Sequence, residues 1–225
     1  MSSPNWLCRT FQFGCMLFLG VAAAETVMAG SASGAKPDAA VSKAERYQEV
    51  IEQAINGELP LDFEVDDEQP ILITAILYGS DQQVQRLLEK GHDPNANYLS
   101  IPALIFTVAA ECEYEKLRLL LAVGADANIA EPLGGSFAIH SAAQHRDVRC
   151  LEALIVHGAV PSVVDGAGRS AYFYAVDFAS EPAIQYLWKA GVDPKTGTWA
   201  GMDIFEYGAL MNRAELLQDL LPTQR

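Results

Sequence analysis

Residues 116–128, Lys-Leu-Arg-Leu-Leu-Leu-Ala-Val-Gly-Ala-Asp-Ala-Asn, form a leucine-rich helical run that stops at Gly124 and turns into a polar Asp/Asn segment. Glycine ends helices because it takes a positive φ with no Cβ to clash. The ending recurs. Gly91 closes VQRLLEKGHDPNA, Gly158 closes CLEALIVHGAV and Gly191 closes IQYLWKAGVDP, at spacings of 33, 34 and 33 residues. Gly57 stands another 34 residues before Gly91. A fixed period in this range predicts stacked helical repeats, each burying the apolar faces of its neighbours.

The unit resembles the ankyrin repeat, in which two antiparallel helices and a projecting hairpin carry a TPLHxAA stretch, a VVxLLL run and a GADVN tail. The third unit keeps Ala138-Ile139-His140-Ser141-Ala142-Ala143, and the fourth keeps Asp165, Gly168 and Ser170 of the hairpin. The tail survives as Gly124-Ala125-Asp126-Ala127-Asn128 and Gly91-His92-Asp93-Pro94-Asn95. The resemblance covers about residues 43–221 and implies an all-α solenoid of helix-turn-helix units with hairpin loops. Where the family has a capping Thr, this chain has Pro70, Ala103, Phe137, Ser170 and Asp203. Only Ser170 and Asp203 can accept a backbone N–H, so most first helices are expected to start poorly capped.

On this register the chain divides into a signal peptide over 1–29, a Gly/Ser/Ala/Pro leader over 30–41 and a repeat domain over 42–225. Within that domain 42–69 is an N-terminal cap built on one amphipathic helix, with Tyr47, Val50, Ile51, Ala54 and Ile55 on one stripe. Full units follow over 70–102, 103–136, 137–169 and 170–202, with a C-terminal cap over 203–221. First helices are expected near 70–78, 103–111, 137–145 and 170–179, and second helices near 81–90, 114–123, 147–157 and 181–190. Gly134-Gly135 makes the loop from Ala130 to Ser136 the most adaptable hairpin.

Arg9 is the only charge before the apolar stretch Phe11–Ala24, which is too short to favour a membrane span and is followed by small-residue cleavage sites after Ala24 or Ala29, an uncleaved N-terminal anchor being the alternative. The expectation is export, to the periplasm or outside the cell. Cys8 and Cys15 leave with the signal, so Cys112 and Cys150 remain. They fall on adjacent repeats, but a bridge demands narrow geometry, and two separate buried thiols are expected.

The 225 residues carry a formal net charge of −14. That balance argues against nucleic acid and anionic lipid and favours a basic protein partner, a merely soluble acidic surface being the alternative on charge alone. Glu64, Asp66, Asp67 and Glu68 lack the ligand spacing of a calcium loop, and no Cys/His group has zinc spacing. Phosphate-loop and nucleophile-elbow motifs are missing from the sequence. No cofactor or metal is expected, and the chain is read as a non-enzyme. A hydrolase built on His145 or His140 with a carboxylate is the contrasting reading, and no local motif assembles it.

The resemblance implies partner contacts at hairpin tips and along the exposed ends of the first helices. At the tips these are Asp66, Asp67, Gln69, Leu99, Ser100, Leu133, Arg169, Trp199 and Met202. On the first helices they are Leu77, Tyr78, Glu111, Gln144, His145, Asp177, Phe178, Leu210 and Met211. Aromatic and Met side chains are the usual anchors, which puts Tyr78 at one end and Phe178 with Trp199 at the other. His140 holds the family's structural His position. The expected function is an exported module, monomeric when unbound, that captures a protein on its concave face. An immunity protein against an envelope-acting toxin is the favoured role, and a periplasmic scaffold for an oxidative-stress enzyme is the alternative.

Overall fold

The computed structural model describes residues 42–109 and 111–221, with the side chain of Asp67 also left out. The signal peptide and leader expected over 1–41 lie outside the described residues. The chain forms an all-α solenoid. Helix α1 (Lys43–Asn56) opens it, held at its start by a reciprocal cap in which Glu45 N–H donates to Ser42 Oγ at 3.3 Å and Ser42 N–H to the Glu45 carboxylate at 2.8 Å. Tyr47, Ile51, Ala54 and Ile55 of the expected stripe are buried. Gly57 ends the helix at φ 79°, a conformation that a side chain would strain.

The full units follow as α2 (Ile71–Tyr78) with α3 (Asp81–Glu89), α4 (Ala103–Val108) with α5 (Tyr114–Ala122), α6 (Ala138–Ala142) with α7 (Arg149–Val156), and α8 (Ala171–Asp177) with α9 (Glu181–Lys189). Helices α10 (Ile204–Leu210) and α11 (Ala214–Leu220) close the array. The first helices stack in series, α2 on α4, α4 on α6, α6 on α8 and α8 on α10. Packed between two neighbours and a second helix, α2 is apolar nearly all round, and residues Ile71–Ile76 are all buried.

These first helices are shorter than the register predicts, ending at Val108, Ala142 and Asp177 in the last three full units. Side chains from the next repeat take the carbonyls that another helical turn would have used. His145 Nε2–H donates to the Val108 carbonyl at 2.7 Å, Ser180 Oγ–H donates to the His145 carbonyl, and buried Lys116 donates to the Ile76 carbonyl at 2.8 Å. A satisfied helix end stops without penalty. At the starts, Asp203 caps α10 by accepting from Phe205 and Glu206 N–H, both at 2.9 Å. Ser170 does not cap α8 as expected: its Oγ is fully buried with no hydrogen-bond partner among the described residues.

The expectation of two separate thiols is wrong. Cys112 and Cys150 form a disulfide, with Cα atoms 5.8 Å apart. Their separation of 38 residues is one repeat plus about one helical turn, so stacking puts the turn after α4 directly beside the start of α7. That distance lies within the usual bonding range.

Among the hairpins, Asn97–Tyr98 (β1) pairs antiparallel with Ile101–Pro102 (β2). The later tips are joined to one another: Gly166 N–H donates to the Gly134 carbonyl and Thr198 N–H to the Gly168 carbonyl, each at 2.9 Å. A Cβ on Gly135 would stand 2.8 Å from Gly166 N, so the glycine expected to make that loop adaptable instead permits this close approach. No helix among the described residues is long and apolar enough to cross a membrane.

Candidate protein-binding groove

The ends of the first helices bring Tyr78, Glu111, His145, Phe178 and Met211 to equivalent register positions in successive repeats, with Leu77, Gln144, Asp177 and Leu210 one residue earlier. The row changes character along its length. At the N-terminal end Tyr78 is half-buried, its ring centroid 4.8 Å from that of Tyr47 and its carbonyl accepting from Gln48 Nε2 at 2.7 Å. Asp66 is drawn back the same way, bound to Arg46 at 2.7 Å and to the Tyr47 hydroxyl at 3.2 Å. Glu111 is exposed, on the turn fixed by the disulfide. His145 is half-buried, its Nε2 and its carbonyl both used between repeats. Its placement makes it a link in the array.

Apolar exposure rises at the C-terminal end. Phe178 is 50% exposed and Leu210 56%, with Met211 exposed beside them. Scattered single apolar residues on a surface carry no message, but neighbouring ones along one face do. At the hairpin tips Leu99 and Leu133 are exposed, the latter by 85%. Leu99 and Ser100 take φ of 51° and 65°, so both central residues of a two-residue turn are left-handed. Hairpins favour that turn but usually supply Asn and Gly for it. A leucine held there is backbone strain at an exposed tip.

Trp199 is half-buried. Its indole packs edge-on against Tyr207 at 5.5 Å between centroids, and its backbone pairs with Met202. Arg169 also turns inward. Its Nε donates to Asp165 Oδ2 and its Nη2 to the Tyr174 hydroxyl, each at 2.8 Å, while the guanidinium lies over the Tyr174 ring. The Tyr174 hydroxyl donates in turn to Asp165 at 2.7 Å. Burial pushes the Asp165 carboxyl up, but the Arg169 N–H, the Tyr174 hydroxyl and the Arg169 charge outweigh it and leave the pKa lowered. Burial raises Asp177 despite the hydrogen bond from Tyr207 and the nearby Arg169.

His140 sits beneath this network, fully buried and stacked on Tyr174 at 5.0 Å. Phe137 N–H donates to its Nδ1 and its Nε2–H to the Val163 carbonyl, both at 3.2 Å, which fixes the neutral tautomer. Burial lowers its pKa to about 4, against the opposing Val163 bond and Asp165 charge. Tyr174 and Tyr207, which organise this end of the groove, escaped the sequence reading. Their spacing of 33 residues puts them at one register position and was the available signal. Among the described residues no three His, Cys, Asp or Glu side chains converge as metal ligands.

The family model described as ankyrin repeats (3 copies) matches residues 105–198. None of the curated proteins matches the chain. With the helix pairs in phase with the glycines on both sides of that segment, the fold is an all-α ankyrin-repeat solenoid. Arrays of this kind generally mediate protein–protein interaction.

Proposed function

We propose that this chain is an exported ankyrin-repeat module that captures a basic protein on its concave face, and that it serves as an immunity protein against a toxin acting in the cell envelope. The observation that carries capture is the run of exposed Phe178, Leu210 and Met211 along adjacent first-helix ends. Folding gains nothing from exposing them together, whereas an interface core would bury them. Export draws support from the Cys112–Cys150 bond, since such bonds persist in oxidising compartments. The net charge of −14 favours a basic partner through faster, steered association.

The test begins with affinity capture from an envelope extract, followed by purification of the captured protein and measurement of its Kd. Phe178→Ala with Leu210→Ala should weaken that Kd by at least about 30-fold, the cost of losing an interface anchor. Unchanged affinity would remove the groove from the reading. For the immunity role, envelope expression of the captured protein alone should arrest growth, and co-expression of this chain should relieve it. A harmless partner ends the immunity reading and leaves capture standing.

A further inference from the structure

The loops after the second helices are tied to one another at two successive junctions. Asn95 Oδ1 accepts from Asp126 N–H at 2.8 Å. Asn128 spans the next junction, donating to the Gly158 carbonyl and accepting from Val160 N–H, both at 2.9 Å. At the first junction Leu61 occupies the register position of those asparagines, four residues after the helix-ending glycine. It can make neither bond. The buried ring of His92, where later loops carry the smaller Ala125, Ala159 and Val192, instead meets the Leu61 carbonyl.

A cleft of about 320 Å³ opens between the two loops, its apolar lining including Leu61, Phe63, Pro70 and the buried Leu72. Leu61 is 57% exposed at its mouth. Asp62, Glu64 and Asp93 stand around it as exposed carboxylates, and none belongs to an ion pair among the described residues. From Glu58 to Glu68 the chain carries six carboxylates and no base. Arg46 is engaged with Asp66, and the Lys90 ammonium lies beside Gly57. An apolar cleft inside a negative rim selects an apolar side chain flanked by cations.

We infer that this cleft binds an extended basic-apolar segment of the captured protein, with a Leu- or Phe-sized side chain inserted between the loops and Lys or Arg on either side over the carboxylates. The inference rests on the reading that the chain captures a protein, but the cleft shares no residue with the groove. It is a second contact on the loop edge of the array. The affinities of two linked contacts combine far beyond either alone.

The probe is the peptide acetyl-Arg-Leu-Arg-amide, titrated into the ¹⁵N-labelled full chain, with acetyl-Glu-Leu-Glu-amide as control. Amide shifts should be confined to residues 61–64 and 92–96, weaken several-fold in high salt and be missing with the acidic peptide. Leu61→Asn supplies the missing loop tie, should melt no lower than the wild type and should abolish the shifts. Phe178→Ala with Leu210→Ala should leave them unchanged. Shifts centred on the groove, equal binding of the acidic peptide, or full binding by Leu61→Asn would overturn the inference. Failure of the groove variant to lose the captured protein removes the groove from the proposed function and leaves the cleft, and absence of peptide shifts sinks the cleft alone.

Discussion

Cys112, on the turn after α4, is bonded to Cys150 in the first turn of α7, and the bond closes a sequence separation of 38 residues across the junction of two repeats. Helix α4 is six residues long and starts without a side-chain cap, so this junction has little local stability of its own. The bond holds the turn that presents Glu111 against the following repeat.

Removing that bond should be costly. For a loop of this length the chain-entropy model gives about 4 kcal/mol. In a domain of this size that is a fall in Tm on the order of 10 °C. Thermal melts with and without dithiothreitol should differ by that amount in the wild type and coincide in Cys112→Ser with Cys150→Ser. Alkylation under denaturing, non-reducing conditions should leave both cysteines unmodified. Wild-type melts indifferent to reductant would refute a stabilising bond.

His140 should make the fold acid-sensitive. Its folded pKa of about 4 lies below the ordinary 6.5, so between those values the unfolded chain binds a proton that the folded chain refuses. Stability is then complete above about pH 6.5, falls as pH drops through the window and levels off near 4. The loss is on the order of 3 kcal/mol. Burial lowers His92 in the same direction. Asp177 opposes them: its raised pKa favours the neutral acid in the fold, a contribution present at low pH and lost as pH rises through that value. Urea titrations at pH 7.5, 5.5 and 4 would measure the slope, and His140→Gln should flatten it while lowering stability at pH 7.5.

The strained hairpin tip predicts an unusual gain. Leu99→Asn with Ser100→Gly places turn-compatible residues where φ is 51° and 65° and should stabilise the fold by about 1–2 kcal/mol. If the exposed Leu99 meets the captured protein, the same variant binds less tightly, so stability rises while affinity falls, and melting temperature and Kd increase together. A lower melting temperature would show that the leucine packs where it stands.

Trp199 and Phe178 should separate cleanly. Trp199 packs on Tyr207, so Trp199→Ala removes an aromatic pair and should cost about 1–2 kcal/mol of stability. Phe178 is half-exposed, and Phe178→Ala should melt within a degree or two of the wild type while weakening capture. Equal melting of both variants would place Trp199 outside the packed array.

The recurring glycines determined most of the architecture. A residue that ends a helix every 33 or 34 positions fixes the repeat, and the leucine runs between fix which faces are buried. His140 was legible for the same reason, because its role depends on position within one unit. What the sequence did not determine lies between units. The Cys112–Cys150 bond and the His145–Val108 link each join residues whose distance depends on how one repeat is rotated on the next. A motif carries no such rotation. The tips show the same division: sequence places Trp199 on a hairpin, yet only packing against Tyr207 decides that much of its indole is covered. Local periodicity follows from helix geometry and glycine conformation, which neighbouring residues specify. Side-chain partners across a junction follow from the stacking of whole units, and that is set by the three-dimensional fit of their buried faces.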